Sequence, residues 1–157
     1  MQVRRASRAD LAEISRVADA AYWDSYQGLL KPDTIARLLA RDYSPSSLGR
    51  RLLKGGVLVV TAGDRLVGFA DVAREDGLIR LTAISTEPSR RRVGVGAALV
   101  SAVRELDGEL PVCADVVLGN LDGEEFYEAL GFAPGEVING TWFGEDVVER
   151  RWWLAPA

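Results

Sequence analysis

The chain has 157 residues, of which 48% are hydrophobic and 27% are charged, and its formal net charge is −4. This length predicts one globular domain over residues 1–157, which buries about two-thirds of its unfolded surface. The sequence contains no histidine, which excludes Ser-His-Asp and Cys-His catalysis and nearly every zinc site, so we expect no metal. The negative net charge disfavours nucleic acid as a partner.

The sequence also argues against a membrane protein. No apolar run approaches the roughly 20 residues that a membrane span requires, and the start Met-Gln-Val-Arg-Arg does not resemble a signal peptide. The single cysteine, Cys113, allows no intrachain disulfide. These features suit a cytoplasmic protein, which is the expected location.

The amino-terminal half predicts a strand, three helices and a pair of strands. Ser7 is a capping residue for the first helix, with Asp10 in the reciprocal position of a capping box. A Gly63-Asp64 turn joins the two later strands as a hairpin. The expected order is a strand at 3–6, helices that begin near Ser7, Lys31 and Ser44, and strands at 57–62 and 65–73.

The carboxyl-terminal half predicts two strand–helix units followed by two strands. Asp122 is expected to cap the second helix, with Glu125 in the capping-box position and Gly131 as its stop. The expected strands are 78–86, 111–117, one near 136–139 and one at 147–154, with a loop at 140–146 or a hairpin turn at Asn139-Gly140. The chain therefore predicts an α/β fold with a mixed sheet of about seven strands and about four helices.

The stretch 79–106 carries the strongest functional signal. It begins as a strand, breaks at Pro88, passes three arginines and enters a helix through Gly94 and Gly96. The first amides of a helix lack carbonyl partners, and glycines let an anion approach the backbone. The stretch lacks the third glycine of the dinucleotide fingerprint and the Gly-Lys-Ser/Thr of a P-loop. A small anionic ligand is the functional interpretation, and a tight turn with solvated arginines is the alternative.

Three blocks resemble the GNAT acyltransferases, the Gcn5-related N-acetyltransferase superfamily. The pattern Arg91-x-x-Gly94-x-Gly96 after a strand resembles its motif A. The run from Asn120 through Phe126-Tyr127 to Gly131-Phe132 resembles its Asn…Phe-Tyr…Gly-Phe block, and the aromatic stretch 22–30 resembles a segment after the first helix in small bacterial members. The blocks lie in family order and span nearly the whole chain, although Gly123 replaces the usual Ala.

The resemblance implies a fold and an activity. The strands on either side of the motif A helix would run parallel and splay into a V-shaped cleft. The implied reaction moves an acetyl group from acetyl-coenzyme A to an amine of a small molecule or a protein. A non-catalytic acyl-coenzyme A sensor or interaction module on the same fold is the alternative, and a nucleotide-binding fold of another type is a third reading.

The resemblance also implies the roles of individual residues. Ile84, Thr86 and Asn120 would bind the thioester and pantetheine arm, and Tyr127 would be the general acid, with simple aromatic packing as the alternative for Tyr127. The residues implied for the pyrophosphate are Arg91, Arg92, Val93, Gly94, Val95, Gly96 and Ala97.

The acceptor side and the general base are less defined. Trp23, Tyr26 and Trp142 are expected to wall an acceptor pocket, although core packing is the alternative for Trp23 and Tyr26. Of Trp152 and Trp153, one is expected in the core and the other exposed or at a homodimer contact.

Arg80 stands where some family members carry a Glu base. Asp71, Glu87, Asp115 and a water relay stay open as alternatives. Cys113 is expected in the core and not as a nucleophile, because no histidine can activate it.

Overall fold

The computed structural model describes residues 1–90 and 93–157. Seven strands in these ranges form one sheet with the spatial order β1-β2-β3-β4-β5-β7-β6. The strands are β1 (Gln2–Arg5), β2 (Val57–Ala62), β3 (Arg65–Glu75), β4 (Leu78–Thr86), β5 (Val112–Val117), β6 (Ala133–Trp142) and β7 (Glu145–Leu154). β4 and β5 pair in parallel, and the other neighbours pair antiparallel.

Helices cover both faces of the sheet. The helices are α1 (Leu11–Tyr26), α2 (Pro32–Asp42), α3 (Pro45–Leu53), α4 (Val95–Glu105) and α5 (Leu121–Ala129), with 3₁₀ turns at Arg8–Asp10 and Pro88–Arg90. Val57 and Val59 of β2 pack against α1, whereas Leu58 and Val60 join the cluster that contains α4. The alternation of side chains along β2 thus supplies both cores. The mixed α/β architecture is confirmed, with five helices where about four were expected. No helix in the described ranges is long and apolar enough to cross a bilayer.

The predicted capping box before α1 is present. The Ser7 amide donates to Asp10 Oδ2 at 2.8 Å, and Arg4 donates to both carboxylate oxygens of Asp10 at 2.7 and 2.9 Å. The cap predicted for α5 is wrong by two residues. Asn120 is the N-cap, and its Oδ1 accepts from the Gly123 amide at 3.1 Å. Asp122 lies in the first turn, where its charge still complements the helix dipole.

The predicted end of the chain is also wrong in detail. β6 and β7 form one long hairpin, and the turn lies at Phe143 and Gly144, with φ angles of +50° and +83°. Asn139 and Gly140 pair with Val148 and Val147 inside the ladder, so they form neither a loop nor the turn. Positive φ at both turn residues is the geometry of a tight hairpin. The sequence gives no signal for this turn because Phe rarely adopts a positive φ.

β4 and β5 share only a short ladder, through the pairs Ile79↔Val112, Arg80↔Cys113 and Leu81↔Ala114. Beyond it, β4 continues with β3 as far as Thr86, and β5 continues with β7. The β3–β4 register shifts where Asp71 pairs with Ala83 and the next residue pairs with Leu81, which leaves Thr82 as an extra residue. The two parallel strands therefore separate at their carboxyl ends, and the V-shaped splay is confirmed.

Glu87 holds the end of β4 in place. Its amide donates to the Val67 carbonyl at 2.8 Å, and its buried carboxylate accepts from Arg65 and from Arg16, the latter at 2.6 Å. The hydrogen bond from Arg65 is the main cause that lowers the pKa of Glu87 to about 2, and Arg16 adds to it. The folded-state pKa is below the ordinary 4.5, so this carboxylate stabilises the fold above pH 4.5 and loses that effect as the pH falls toward 2.

We expect Glu87→Gln to lower the free energy of unfolding by about 2 kcal/mol at neutral pH, because two charged hydrogen bonds are weakened. The difference from wild type should shrink as the pH falls below 4.5, which urea denaturation near pH 7 and at about pH 3 would measure. Glu13→Gln is the matched control, because Glu13 also binds Arg16 but its side chain is 47% exposed. It should cost less than about 0.5 kcal/mol. An equal loss for Glu87→Gln at both pH values would contradict the assignment.

Candidate active site

A cavity of about 550 Å³ opens where β4 and β5 separate. It is lined by residues of α1, β4, α4, β5 and α5, so it passes between the two faces of the sheet. The lining includes these residues singled out from the sequence: Tyr26, Ile84, Thr86, Gly94, Gly96, Ala97, Asn120 and Tyr127. The splay thus brings together in space residues of three separate sequence blocks.

The start of α4 lies beside this cavity. Gly94 is the N-cap with φ +88°, a conformation that L side chains rarely adopt. The Ala98 amide donates to the Gly94 carbonyl at 3.0 Å. The amides of Val95, Gly96 and Ala97 lie in the first turn of the helix, where backbone amides as a rule lack intrahelical partners. They form a cluster of donors at the positive end of the helix dipole, which suits an anion.

The other residues predicted for the pyrophosphate have different placements. The Val95 side chain is buried against the sheet, so only its backbone is available to a ligand, and the Val93 side chain is 58% exposed. Arg91 and Arg92 lie outside the described residues, and Arg90 lines the cavity.

Gly96 has a packing role that its sequence pattern does not reveal. A Cβ atom there would lie 2.4 Å from Cε1 of Phe126, so the ring of α5 occupies the space where a side chain would be. The ring of Phe126 in turn contacts the ring of Tyr127, with 5.0 Å between centroids. The absence of a side chain at position 96 therefore brings α5 close to α4 and helps to position Tyr127.

The edge of β4 that faces the gap carries the backbone groups of Ile84 and Thr86. Glu87 donates to Val67 of β3, and Ser85 pairs with Phe69 of the same strand. Backbone groups of an antiparallel strand point alternately to its two sides, so those of Ile84 and Thr86 point away from β3. The neighbouring strand β5 has departed at this level, and these groups border the cavity.

Tyr127 is buried, with 6% of its surface exposed, and lines the cavity. Its ring packs edge-on against Phe132, with centroids 5.0 Å apart. Burial is the main cause that raises the pKa of Tyr127, and the negative charge of Asp115 adds to it. The phenol therefore keeps its proton at neutral pH and can act as a donor.

Asn120 connects the cap of α5 to the cavity. Its Oδ1 is occupied by the Gly123 amide, as described above, whereas an Asn amide nitrogen carries two further N–H donors. Asn120 lines the cavity, so a carbonyl group bound there lies within the reach of its side chain.

Of the three aromatic residues predicted for the acceptor, only Tyr26 lines the cavity. Its ring packs edge-on against Tyr22, which also lines the cavity and which the sequence did not single out. Trp142 lies outside the cavity lining and packs against the apolar cluster of Leu30 and Ile35, which Tyr22 and Tyr26 also contact, and Trp23 lines a depression beside Glu145. The roles of Trp23 and Trp142 in acceptor binding therefore stay predictions.

A contact across the fold holds this side of the molecule together. The Glu145 carboxylate, at the start of β7, accepts from the Lys31 amide at 3.0 and 3.2 Å. Lys31 is the N-cap residue of α2, and its own side chain makes no capping bond. The hairpin of β6 and β7 thus caps the helix that follows the aromatic segment.

The carboxylates considered as proton acceptors are engaged by arginines. Asp71 pairs with Arg51, and Glu87 pairs with two arginines as described above. Asp115 lines the cavity but accepts two hydrogen bonds from Arg151, at 2.8 and 3.0 Å. Arg80 pairs with Glu75, so position 80 supplies a cation and no base.

Cys113 is buried, as expected, and burial raises the pKa of its thiol. Of the two tryptophans near the carboxyl end, Trp152 lies in the core with 5% exposed surface, and Trp153 is half-buried and donates to Glu136. A homodimer contact at Trp153 stays a prediction.

Comparison with known proteins gives the same architecture. No curated protein sequence matches this chain. The PaiA N-acetyltransferase of Thermoplasma acidophilum, solved in complex with coenzyme A, superposes with a TM-score of 0.81 at 20% identity, over 95% of this chain and 96% of that one. A GCN5-related N-acetyltransferase from Rhodopseudomonas palustris gives 0.82 at 16% identity, over 98% and 94%. A GNAT-family acetyltransferase from Bacillus cereus gives 0.73 at 16% identity, over 99% and 97%.

These structures share the fold at identities too low to transfer a substrate. A family model described as an acetyltransferase (GNAT) domain matches residues 53–134, just over half of the chain. That segment contains β4, the start of α4, β5 and α5, which together line most of the cavity. Because the family model matches more than half of its length, this chain belongs to the GNAT acetyltransferase family.

Proposed function

We propose that the protein is a single-domain N-acetyltransferase that moves an acetyl group from acetyl-coenzyme A to an amine of a small molecule or a protein, without a metal. The observation that carries this proposal is one cavity with two chemically distinct sides. The amino-terminal turn of α4 borders it on one side, and the buried, protonated Tyr127 borders it on another. Membership of the GNAT family supports the acyl transfer.

The start of α4 is proposed to hold the pyrophosphate. The amides from Val93 to Ala97 supply the donors, with Arg91 and Arg92 as the predicted cationic side chains. A hydrogen bond to a charged oxygen contributes about 1.5–3 kcal/mol, so three or four such bonds would dominate the affinity. The backbone edge of Ile84 and Thr86, together with Asn120, is proposed to bind the pantetheine arm that leads from there into the gap.

The chemical step then divides between the backbone and Tyr127. Acetyl-coenzyme A supplies the acetyl group as a thioester. The Ile84 amide faces the gap and can donate to the thioester oxygen as negative charge develops on it. The Tyr127 hydroxyl donates its proton to the departing sulfur, for which its raised pKa keeps it in the protonated form. Tyr26 and Tyr22 wall the part of the cavity proposed for the acceptor.

A non-catalytic acyl-coenzyme A sensor is the second candidate. The observation that favours it is the pairing of Arg80 with Glu75, since a cation takes the place of a base on β4. Thiol release over a panel of amines distinguishes the two candidates. Binding of acetyl-coenzyme A without turnover on any amine would favour the sensor.

Ala97→Glu tests the cofactor site without removing a core contact. Ala97 is exposed in the first turn of α4 and lines the cavity. A carboxylate there suits the helix dipole and should leave stability unchanged or higher by about 0.3–1 kcal/mol. It would repel the pyrophosphate and compete for its amides, so we expect the Kd for acetyl-coenzyme A to rise at least about 100-fold.

Ser101→Glu is the matched control, because Ser101 is exposed one turn further along α4 and lies outside the cavity lining. The Kd of Ser101→Glu for acetyl-coenzyme A, measured by calorimetry, should stay within about twofold of wild type. Equal Kd values for Ala97→Glu and wild type would remove the pyrophosphate from α4.

Tyr127→Phe tests the proton donor. We expect kcat to fall by about 10²-fold or more, because proton donation to a leaving group contributes factors of this size. The Kd for acetyl-coenzyme A should change little, since the ring is retained. Tyr43→Phe removes the same atom from another buried tyrosine, whose hydroxyl lies 3.2 Å from that of Tyr22, and Tyr43 does not line the cavity. Its kcat should stay near wild type, and a similar value for Tyr127→Phe would refute the assigned role.

A further inference from the structure

The proposed transfer needs a group that takes a proton from the acceptor, because an alkylamine with an ordinary pKa near 10.4 is almost entirely protonated at neutral pH. We propose that Glu149 of β7 is this proton acceptor and that it selects cationic primary alkylamines as acceptors. The inference rests on the proposed function, and it adds a residue that the sequence motifs do not contain.

Strand register places Glu149 next to a residue that lines the cavity, although Glu149 itself is outside the lining. Glu149 is opposite Val117 of β5, and Arg151 is opposite Asp115. Residues two apart on a strand share a face, so Glu149 lies on the face of Arg151 and Asp115. Asp115 lines the cavity at the point where β5 leaves β4. Glu149 is therefore one diagonal step across the ladder from the cavity wall.

The neighbour of Glu149 on the other side along β7, on the same face, is apolar. Val147, two residues earlier on β7, is buried in the cluster that includes Leu30 and Ile35, against which Tyr26 also packs. Burial is the main cause that raises the pKa of Tyr26, and the charge of Glu149 adds to it. On this face of β7, Glu149 thus lies between the buried Val147 and Arg151, which pairs with Asp115.

Within residues 1–90 and 93–157, Glu149 receives no hydrogen bond from a guanidinium, unlike Asp71, Glu87 and Asp115. Arg151 is committed to Asp115 by two hydrogen bonds, and it affects Glu149 only through its charge. Partial burial is the main cause that raises the pKa of Glu149, and the negative charge of Asp115 adds to it, whereas Arg151 opposes both. A carboxylate with a raised pKa is a stronger base than one held by arginines.

The proton balance of the step is complete. The acceptor ammonium gives one proton to Glu149, which frees the nitrogen lone pair. The N–C bond forms and the C–S bond breaks. Tyr127 protonates the sulfur and recovers a proton from the nitrogen of the new amide, directly or through water. Glu149 then releases its proton to solvent, so an ammonium and a thioester yield an amide, a thiol and one proton.

The same arrangement specifies the class of acceptor. Arg151 offsets the charge of Asp115, so Glu149 adds a negative charge next to a cavity that Tyr22 and Tyr26 also line, and this combination favours a cation. An alkylammonium needs negative charge for its binding and a proton acceptor for its reaction. An arylamine is already neutral at pH 7, so neither the negative charge nor the proton acceptor helps it.

Glu149→Gln tests the proposal, because it keeps the shape of the side chain and removes its basicity. With an alkylamine acceptor near pH 7, we expect kcat to fall about 10²-fold, while the Kd for acetyl-coenzyme A stays within about twofold. The deficit should narrow as the pH rises toward the pKa of the amine, because solution then supplies the neutral form. With an arylamine acceptor, the deficit should be small at every pH. Glu136→Gln on the exposed strand β6 is the control, with unchanged kcat expected.

The outcomes distinguish a failure of the proposed transferase function from a failure of the role assigned to Glu149. If the wild-type protein binds acetyl-coenzyme A but releases no thiol with any amine, the proposed transferase function fails and Glu149 loses its role with it. If wild type turns over and Glu149→Gln matches it within about threefold, only the role of Glu149 fails. A deficit that is the same at all pH values and for both amine classes would show a structural effect and overturn the assignment.

Discussion

The structure depends on how the strands β4 and β5 pair with their neighbours at the middle of the sheet. β4 pairs with β5 over only three residues, because β4 then follows β3 and β5 follows β7. Each strand keeps its hydrogen bonds on one side and exposes its backbone on the other. Backbone N–H and C=O groups without partners cost free energy when they are buried away from water. The gap therefore suits a ligand that supplies hydrogen-bonding groups of its own. The site is therefore a consequence of strand pairing and not of a loop.

Close packing between α4 and α5 connects the two ends of that gap. Gly96 leaves room for the ring of Phe126, and Phe126 and Phe132 hold the ring of Tyr127. The same helix start that offers amides to an anion thus also positions the phenol. Burial gives Tyr127 a raised pKa, so a packing feature has a direct electrostatic effect.

Much of this was predictable from local signals. The strand–glycine–helix pattern at Gly94 predicted the start of α4, and the Asn120 block predicted the helix that carries Tyr127. The errors have local physical causes. Asn120 and Asp122 are both good capping residues, and only tertiary geometry chooses between them. Phe143 gives no turn signal because its positive φ is imposed by the hairpin.

Local signals could not predict the residues whose position depends on the register between distant strands. Nothing near Glu149 in the sequence distinguishes it from other carboxylates on exposed strands. Its placement depends on the register of β7 against β5 and on the commitment of Arg151 to Asp115. Likewise, only the long hairpin brings Trp142 to the apolar cluster against which Tyr22 and Tyr26 also pack.

The bond between Glu145 and the amide of Lys31 joins positions 114 residues apart. During synthesis Lys31 emerges long before Glu145, so α2 gains this contact only after the start of β7 has been made. The strand β5 likewise gains its partner β7 only at that point. The strands β1 to β4 and the first three helices can assemble earlier, whereas the β5 side of the cavity depends on a hairpin that is synthesised after the other strands of the sheet.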